Sequence, residues 1–277
     1  MQFGLLGFAC DEGVRRNQGR PGAADAPRVF REILNKTHLS SYKDFGDVAC
    51  LDTDLEAAQK KLGLRVFEML SQGYQPVIIG GGHETAYGHF LGISQFLKDK
   101  NCGIINFDAH FDLRPLLQNH RGSSGTPFLQ IALERQTKKL DFDYLVIGIQ
   151  PFSNSQALFE QAQHWGVSYV LAENLEREAP AHIARMLNQH EFIYLSICLD
   201  VFAEACAPGV SAPQAFGLFP QAILPLIKQI KHSQKQLSCD IAELAPSYDR
   251  QNTTAQLAVH LMGILIEGYR PRSQTPL

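Results

Sequence analysis

Cys102-Gly-Ile-Ile-Asn-Phe-Asp-Ala-His-Phe-Asp112 runs a short apolar stretch into two acids and an imidazole. The first six residues read as a strand buried on both faces, the kind found in parallel sheets. The last five form a D-x-H-x-D run. In an extended segment alternate residues point to the same side, so Asp108, His110 and Asp112 are expected to converge on one point. Two carboxylates held that close are unfavourable unless a cation or a proton compensates them. The plain reading, a polar loop with a chance histidine, leaves that cost unexplained.

Similar apolar runs recur at 2–8, 47–51, 75–80, 144–149, 168–172, 192–199 and 237–241. Between them lie amphipathic stretches at 55–72, 84–100, 154–165, 177–189, 221–232 and 253–269. The stretch 55–72 places Leu55, Ala58, Leu62, Val66 and Leu70 on one face. Apolar strands alternating with helices predict an α/β fold, a parallel sheet covered on both sides. We read residues 1–277 as one domain, with 270–277 as a loose end. In such sheets ligands gather past the carboxyl ends of the strands, which is where the informative polar residues are expected.

Three more strand ends carry such residues. Pro76-Val-Ile-Ile79 leads into Gly80-Gly-Gly-His-Glu84, where glycines permit a tight turn and close approach to a ligand. The spacing is not that of a dinucleotide fingerprint, and a Gly-rich turn with a surface histidine is the alternative reading. Phe192-Ile-Tyr-Leu-Ser-Ile-Cys-Leu199 ends in Asp200, with Cys198 two positions earlier on the same face. Asp200 reads as a ligand or as a turn residue. Leu237-Ser-Cys-Asp-Ile-Ala-Glu243 ends in two acids. Glu243 can contact a cationic substrate group, but by itself it reads more simply as a solvated loop acid.

The 277 residues are 45% apolar and 19% charged, with net charge −3. That is an ordinary globular composition, with no basic surface suited to nucleic acid. Six cysteines form no CxxC pair and read as free thiols in a reducing compartment. The N-terminus lacks a basic region, and no run approaches the roughly 18 apolar residues of a membrane span. A cytoplasmic location is expected.

Taken in order, GGGHE, DAHFD, SICLD and DIAEL resemble the arginase (ureohydrolase) superfamily across residues 80 to 244. The resemblance implies a three-layer α-β-α sandwich with a central parallel sheet. It implies two Mn2+ per subunit, held by His83, Asp108, His110, Asp112 and Asp200. The remaining ligand of the family is usually an Asp where Cys198 stands. A thiolate is softer and favours zinc-like ions. Cys198 therefore leaves open whether it ligates, whether one ion is held more weakly, and whether only one ion is bound. Members that resemble formimidoylglutamases are similar in having Cys there.

Other segments resemble the formimidoylglutamase branch: Gly13–Arg20, Asp112-Leu-Arg114, Ser123-Ser-Gly-Thr-Pro-Phe128 and Ala207-Pro-Gly-Val-Ser-Ala-Pro213. Arg114 stands where arginases usually carry Asn. Its guanidinium suits a dicarboxylate substrate and would repel the α-ammonium of arginine. The resemblance thus implies hydrolysis of N-formimidoyl-L-glutamate to L-glutamate and formamide, a step of histidine breakdown. Asp112 would move the proton, Glu243 would bind the formimino nitrogen, and Arg114 would bind a carboxylate, helped by Arg15, Arg16 or Arg121. The alternatives are an agmatinase or guanidino-acid hydrolase releasing urea, and a metal-poor, non-catalytic paralogue. A deacetylase on the related fold would need one zinc and a different Asp/His spacing. The expected partner is a small-molecule substrate, with no nucleic acid and no membrane. The resemblance leaves a homo-oligomer open, and the sequence carries no interface signal.

Overall fold

The computed structural model describes residues 2–98 and 100–267. Eight parallel strands form one sheet: β1 (Gln2–Ala9), β2 (Tyr42–Ala49), β3 (Tyr74–Ile79), β4 (Gly103–Phe107), β5 (Asp143–Ile149), β6 (Ser168–Leu171), β7 (Phe192–Cys198) and β8 (Gln236–Ala242). Their spatial order is β2-β1-β3-β8-β7-β4-β5-β6. The strand expected at 47–51 is instead β2, beginning at Tyr42. As an edge strand it leaves Lys43, Asp44 and Gly46 exposed, so it lacks the apolar signature of the inner strands.

The helices are α1 (Glu12–Arg16), α2 (Ala26–Leu34), α3 (Leu55–Ser71), α4 (Thr85–Leu97), α5 (Pro127–Thr137), α6 (Gln156–His164), α7 (Leu175–Gln189), α8 (Pro220–His232) and α9 (Thr253–Glu267). The sequence did not indicate α1, α2 or α5. Both longer ones carry proline in the first turn, where its missing N–H costs nothing. The helix expected over 253–269 is seen to Glu267; positions 268 and 269, with the tail 270–277, lie outside the described residues.

Strand side chains alternate between two separate cores. Leu5, Ile79, Phe107, Ile147, Leu195 and Ile241 pack under α2, α7, α8 and α9. Leu6, Ile78, Ile104, Val146 and Tyr194 pack under α3, α4, α5 and α6. The result is the expected three-layer sandwich. The carboxyl ends of β3, β8, β7 and β4 lie side by side at the middle of the sheet, which brings residues from four distant segments to one point.

Candidate metal centre

The loop after β3 is tied to its neighbours on both sides. Gly80 N–H donates to Ile241 O (2.9 Å), Gly82 N–H to Cys10 O (3.1 Å), and Glu243 N–H to Gly81 O (2.8 Å). A Cβ on Gly81 would sit 1.4 Å from Cys10 O, so only glycine fits there. The turn delivers His83 into the interior. Its backbone N–H donates to Glu243 Oε1 at 2.8 Å, and its ring Nε2 lies 2.9 Å from Ser196 Oγ.

The D-x-H-x-D run is not extended. Asp112 has φ +51°, and the segment after β4 is loop. The expected alternation is thereby corrected: the loop wraps, so Asp108 and Asp112 face His83 while His110 faces Asp200. His83 Nδ1 lies 3.0 Å from Asp108 Oδ2 and 2.8 Å from Asp112 Oδ2. His110 Nδ1 lies 3.1 Å from Asp200 Oδ2 and 3.5 Å from Asp108 Oδ1. Asn154 clamps the loop, accepting from Phe111 N–H and donating to Ala109 O. Asn106 donates to Asp108 Oδ2 at 3.0 Å.

Potential ligand atoms fall into two groups that share Asp108. One contains His83, Asp108 and Cys198; the other contains Asp108, His110 and Asp200. Within each group the atoms lie within 4.8 Å of one another. Asp200 Oδ1 and Glu243 Oε2 are buried with no hydrogen-bond partner, and His83 Nδ1 has only the two carboxylate oxygens beside it. A buried polar atom without a partner costs about 1–3 kcal/mol, so two around one cavity call for something to bind them. Among the described residues no lysine or arginine pairs with Asp108, Asp112, Asp200 or Glu243. The donor set of carboxylates, imidazoles and one thiol fits divalent cations.

The electrostatics agree. Burial pushes both imidazoles down, but Asp108 and Asp112 at His83, and Asp200 and Asp108 at His110, more than reverse it. Burial, then the charge of Asp108, pushes Asp112 up. Burial and four surrounding carboxylates push the Cys198 thiol well up. Burial pushes Glu243 up to about 8, with Asp200 and Glu84 adding to it. Glu243 is only 4% exposed, which corrects its reading as a solvated loop acid.

The cavity over these groups is lined also by Arg114, Asn17, Ser124 and Ser211. Arg114 forms part of the wall of the adjoining outer cleft as well, together with Arg16 and Asn17. Of the other arginines considered, Arg15 is held by Glu12 and Arg16 by Glu12 and Glu56. Arg121 donates to Gln118 O and lines neither space. Asn17 lies in the segment Gly13–Arg20 that resembles formimidoylglutamases, but a lone asparagine beside Arg15-Arg16 has no spacing that would give it a role from sequence.

The Arginase family profile matches residues 1–266. A formimidoylglutamase of Legionella pneumophila (strain Paris) is 44% identical over 270 residues, covering 95% of this chain and 84% of that protein. The crystal structure of formimidoylglutamase from Bacillus subtilis superposes with a TM-score of 0.86 at 23% identity, covering 97% of this chain and 87% of that one. The structure of Trypanosoma cruzi formiminoglutamase with Mn2+2 superposes with a TM-score of 0.83 at 27% identity, covering 98% and 94%. Among the described residues no helix is long and apolar enough to cross a membrane.

Proposed function

The chain belongs to the arginase family, and from that premise we propose that it hydrolyses N-formimidoyl-L-glutamate to L-glutamate and formamide. The observation that carries this reading is the pair of ligand groups joined through Asp108, open to a cavity that also presents Arg114 and Glu243.

His83, Cys198 and Asp108 would hold one Mn2+, and Asp108, His110 and Asp200 a second, with Asp112 beside the first. When bound, such cations make a nucleophile available from water near neutral pH and stabilise negative charge in the transition state. The water oxygen adds to the formimino carbon; the bond from that carbon to the glutamate nitrogen then breaks, leaving formamide and L-glutamate. Asp112 carries the proton to the departing amine. Glu243 has one oxygen occupied by His83 N–H, which fixes the carboxyl group; ionised beside the cations and a cationic substrate, it leaves Oε2 to accept from the formimino nitrogen. Arg114 stands where the cavity meets the outer cleft and has no carboxylate partner among the described residues. It clamps a glutamate carboxylate by charge-assisted hydrogen bonds. Gly125 makes room for it, since a Cβ there would approach Arg114 Cδ to 2.7 Å. The six free cysteines, four of them buried, fit a cytoplasmic, reducing setting.

The test is a substrate panel on the Mn2+-loaded protein, containing formimidoylglutamate, agmatine, arginine and guanidino acids. Formamide released from formimidoylglutamate alone is expected. Urea released from a cationic guanidine would overturn the substrate assignment.

A further inference from the structure

Facing α4, the central strands carry a polar row inside an apolar layer. The register of the sheet sets Asn106 of β4 beside Ser196 of β7, and Ser196 beside Asp240 of β8. All three are fully buried. Among the described residues no lysine or arginine pairs with Asp240; its partners are neutral or imidazole donors. Ser196 Oγ lies at 2.5 Å, Tyr194 OH at 2.6 Å and His89 Nδ1 at 2.7 Å. His89 Nε2 in turn meets Ser238 Oγ at 2.6 Å. A buried carboxylate costs several kcal/mol in desolvation, and a purely structural role would be served as well by an apolar side chain.

The chain of bonds has a direction. An ionised carboxylate only accepts, so the Ser196 hydroxyl gives its proton to Asp240. Ser196 Oγ then meets His83 Nε2 with lone pairs alone, and His83 must supply N–H there. The other ring nitrogen, Nδ1, is the one crowded by Asp108 and Asp112 and facing the cation groups.

We propose that Asp240 is a positioning residue: acting through Ser196, it fixes the proton of His83 on Nε2, so that Nδ1 is presented to the cation. The inference rests on the metal-centre reading of the site. Partners of this kind set the tautomer and orientation of a ligating imidazole, and their loss typically costs about 10–100-fold in metal affinity. Asp240→Asn changes almost no volume but turns an acceptor into a group that can donate. Its neutral amide holds the Ser196 proton less strongly than a carboxylate, and with Nδ2 turned toward Ser196 it would send that proton toward His83 and drive the ring to the wrong tautomer.

The experiment is Mn2+ titration of the metal-free full chain, with free Mn2+ read by electron paramagnetic resonance, for the wild type and the Asp240→Asn, Ser196→Ala and Tyr194→Phe variants. Melting of each metal-free protein is recorded alongside. Asp240→Asn and Ser196→Ala are expected to weaken Mn2+ binding about 10–100-fold. Tyr194→Phe removes a donor to the same carboxylate without touching the Ser196 link, and is expected to change affinity far less. Unchanged affinity in Ser196→Ala, or an equal loss in Tyr194→Phe, would overturn the relay. Unchanged affinity in a folded Asp240→Asn overturns the role of Asp240, and unchanged affinity in Ser196→Ala overturns the relay even if Asp240→Asn fails to fold. A wild type that takes up no Mn2+ overturns the metal centre and the relay together. Uptake without formamide release contradicts the substrate assignment alone.

Discussion

The two faces of the sheet are made from the same strands, yet their chemistry differs. Toward α2, α7, α8 and α9 the central strands present Leu195, Ile197, Cys239, Ile241, Ile105 and Phe107. Toward α4 and α5 the intervening positions include, beside Ile78 and Ile104, the polar Asn106, Tyr194, Ser196, Ser238 and Asp240. The first face is uniformly apolar and does what burial does, stabilise. The second gives up part of that stabilisation for a network ending on His83. Adjacent residues of β7 thus answer to different demands: Leu195 to packing, Ser196 to the site.

That contrast can be broken at several points. Asp112→Ala at the mouth of the polar side should lower kcat about 10²–10⁴-fold while leaving the fold intact, as read by turnover and circular dichroism; near-normal turnover removes Asp112 from proton transfer. Leu195→Ala on the apolar face should cost about 2–5 kcal/mol of stability in denaturant unfolding. Its Mn2+ affinity should stay that of the wild type; a large affinity loss would mean the faces are not separable. Arg114→Ala should raise KM for formimidoylglutamate about tenfold with kcat little changed, since it removes a substrate anchor and not a ligand; an unchanged KM rules out the clamp. The smallest effect is expected from Cys198→Asp, which replaces a soft donor by a hard one and should tighten Mn2+ a few-fold by direct titration. An unaltered affinity places Cys198 outside the ligand set.

The strand ends were legible because each joins a continuous apolar run to an acid or imidazole, and parallel sheets put ligands there. Five of the residues so marked meet at one point with Cys198. The sequence misled where local pattern and tertiary context part. Asp112 looked extended, but a left-handed φ turns it toward His83. Glu243 looked solvated, but the loop after β3 buries it. Asp240 looked like a strand-end acid, yet its partner His89 is 151 positions away and no local spacing links them. Helix α5 was hidden because Ser123–Phe128 reads as loop until Pro127 is seen to open a helix.

The shared carboxylate of Asp108 is the joint between the two ligand groups. Elemental analysis of the wild type and Asp108→Ala, each purified and dialysed in the same Mn2+ buffer, examines it alone. Two Mn2+ per wild-type chain, with both lost from a folded variant, is the expected result. A wild type without bound metal, or a variant that keeps its full Mn2+ content, would contradict it.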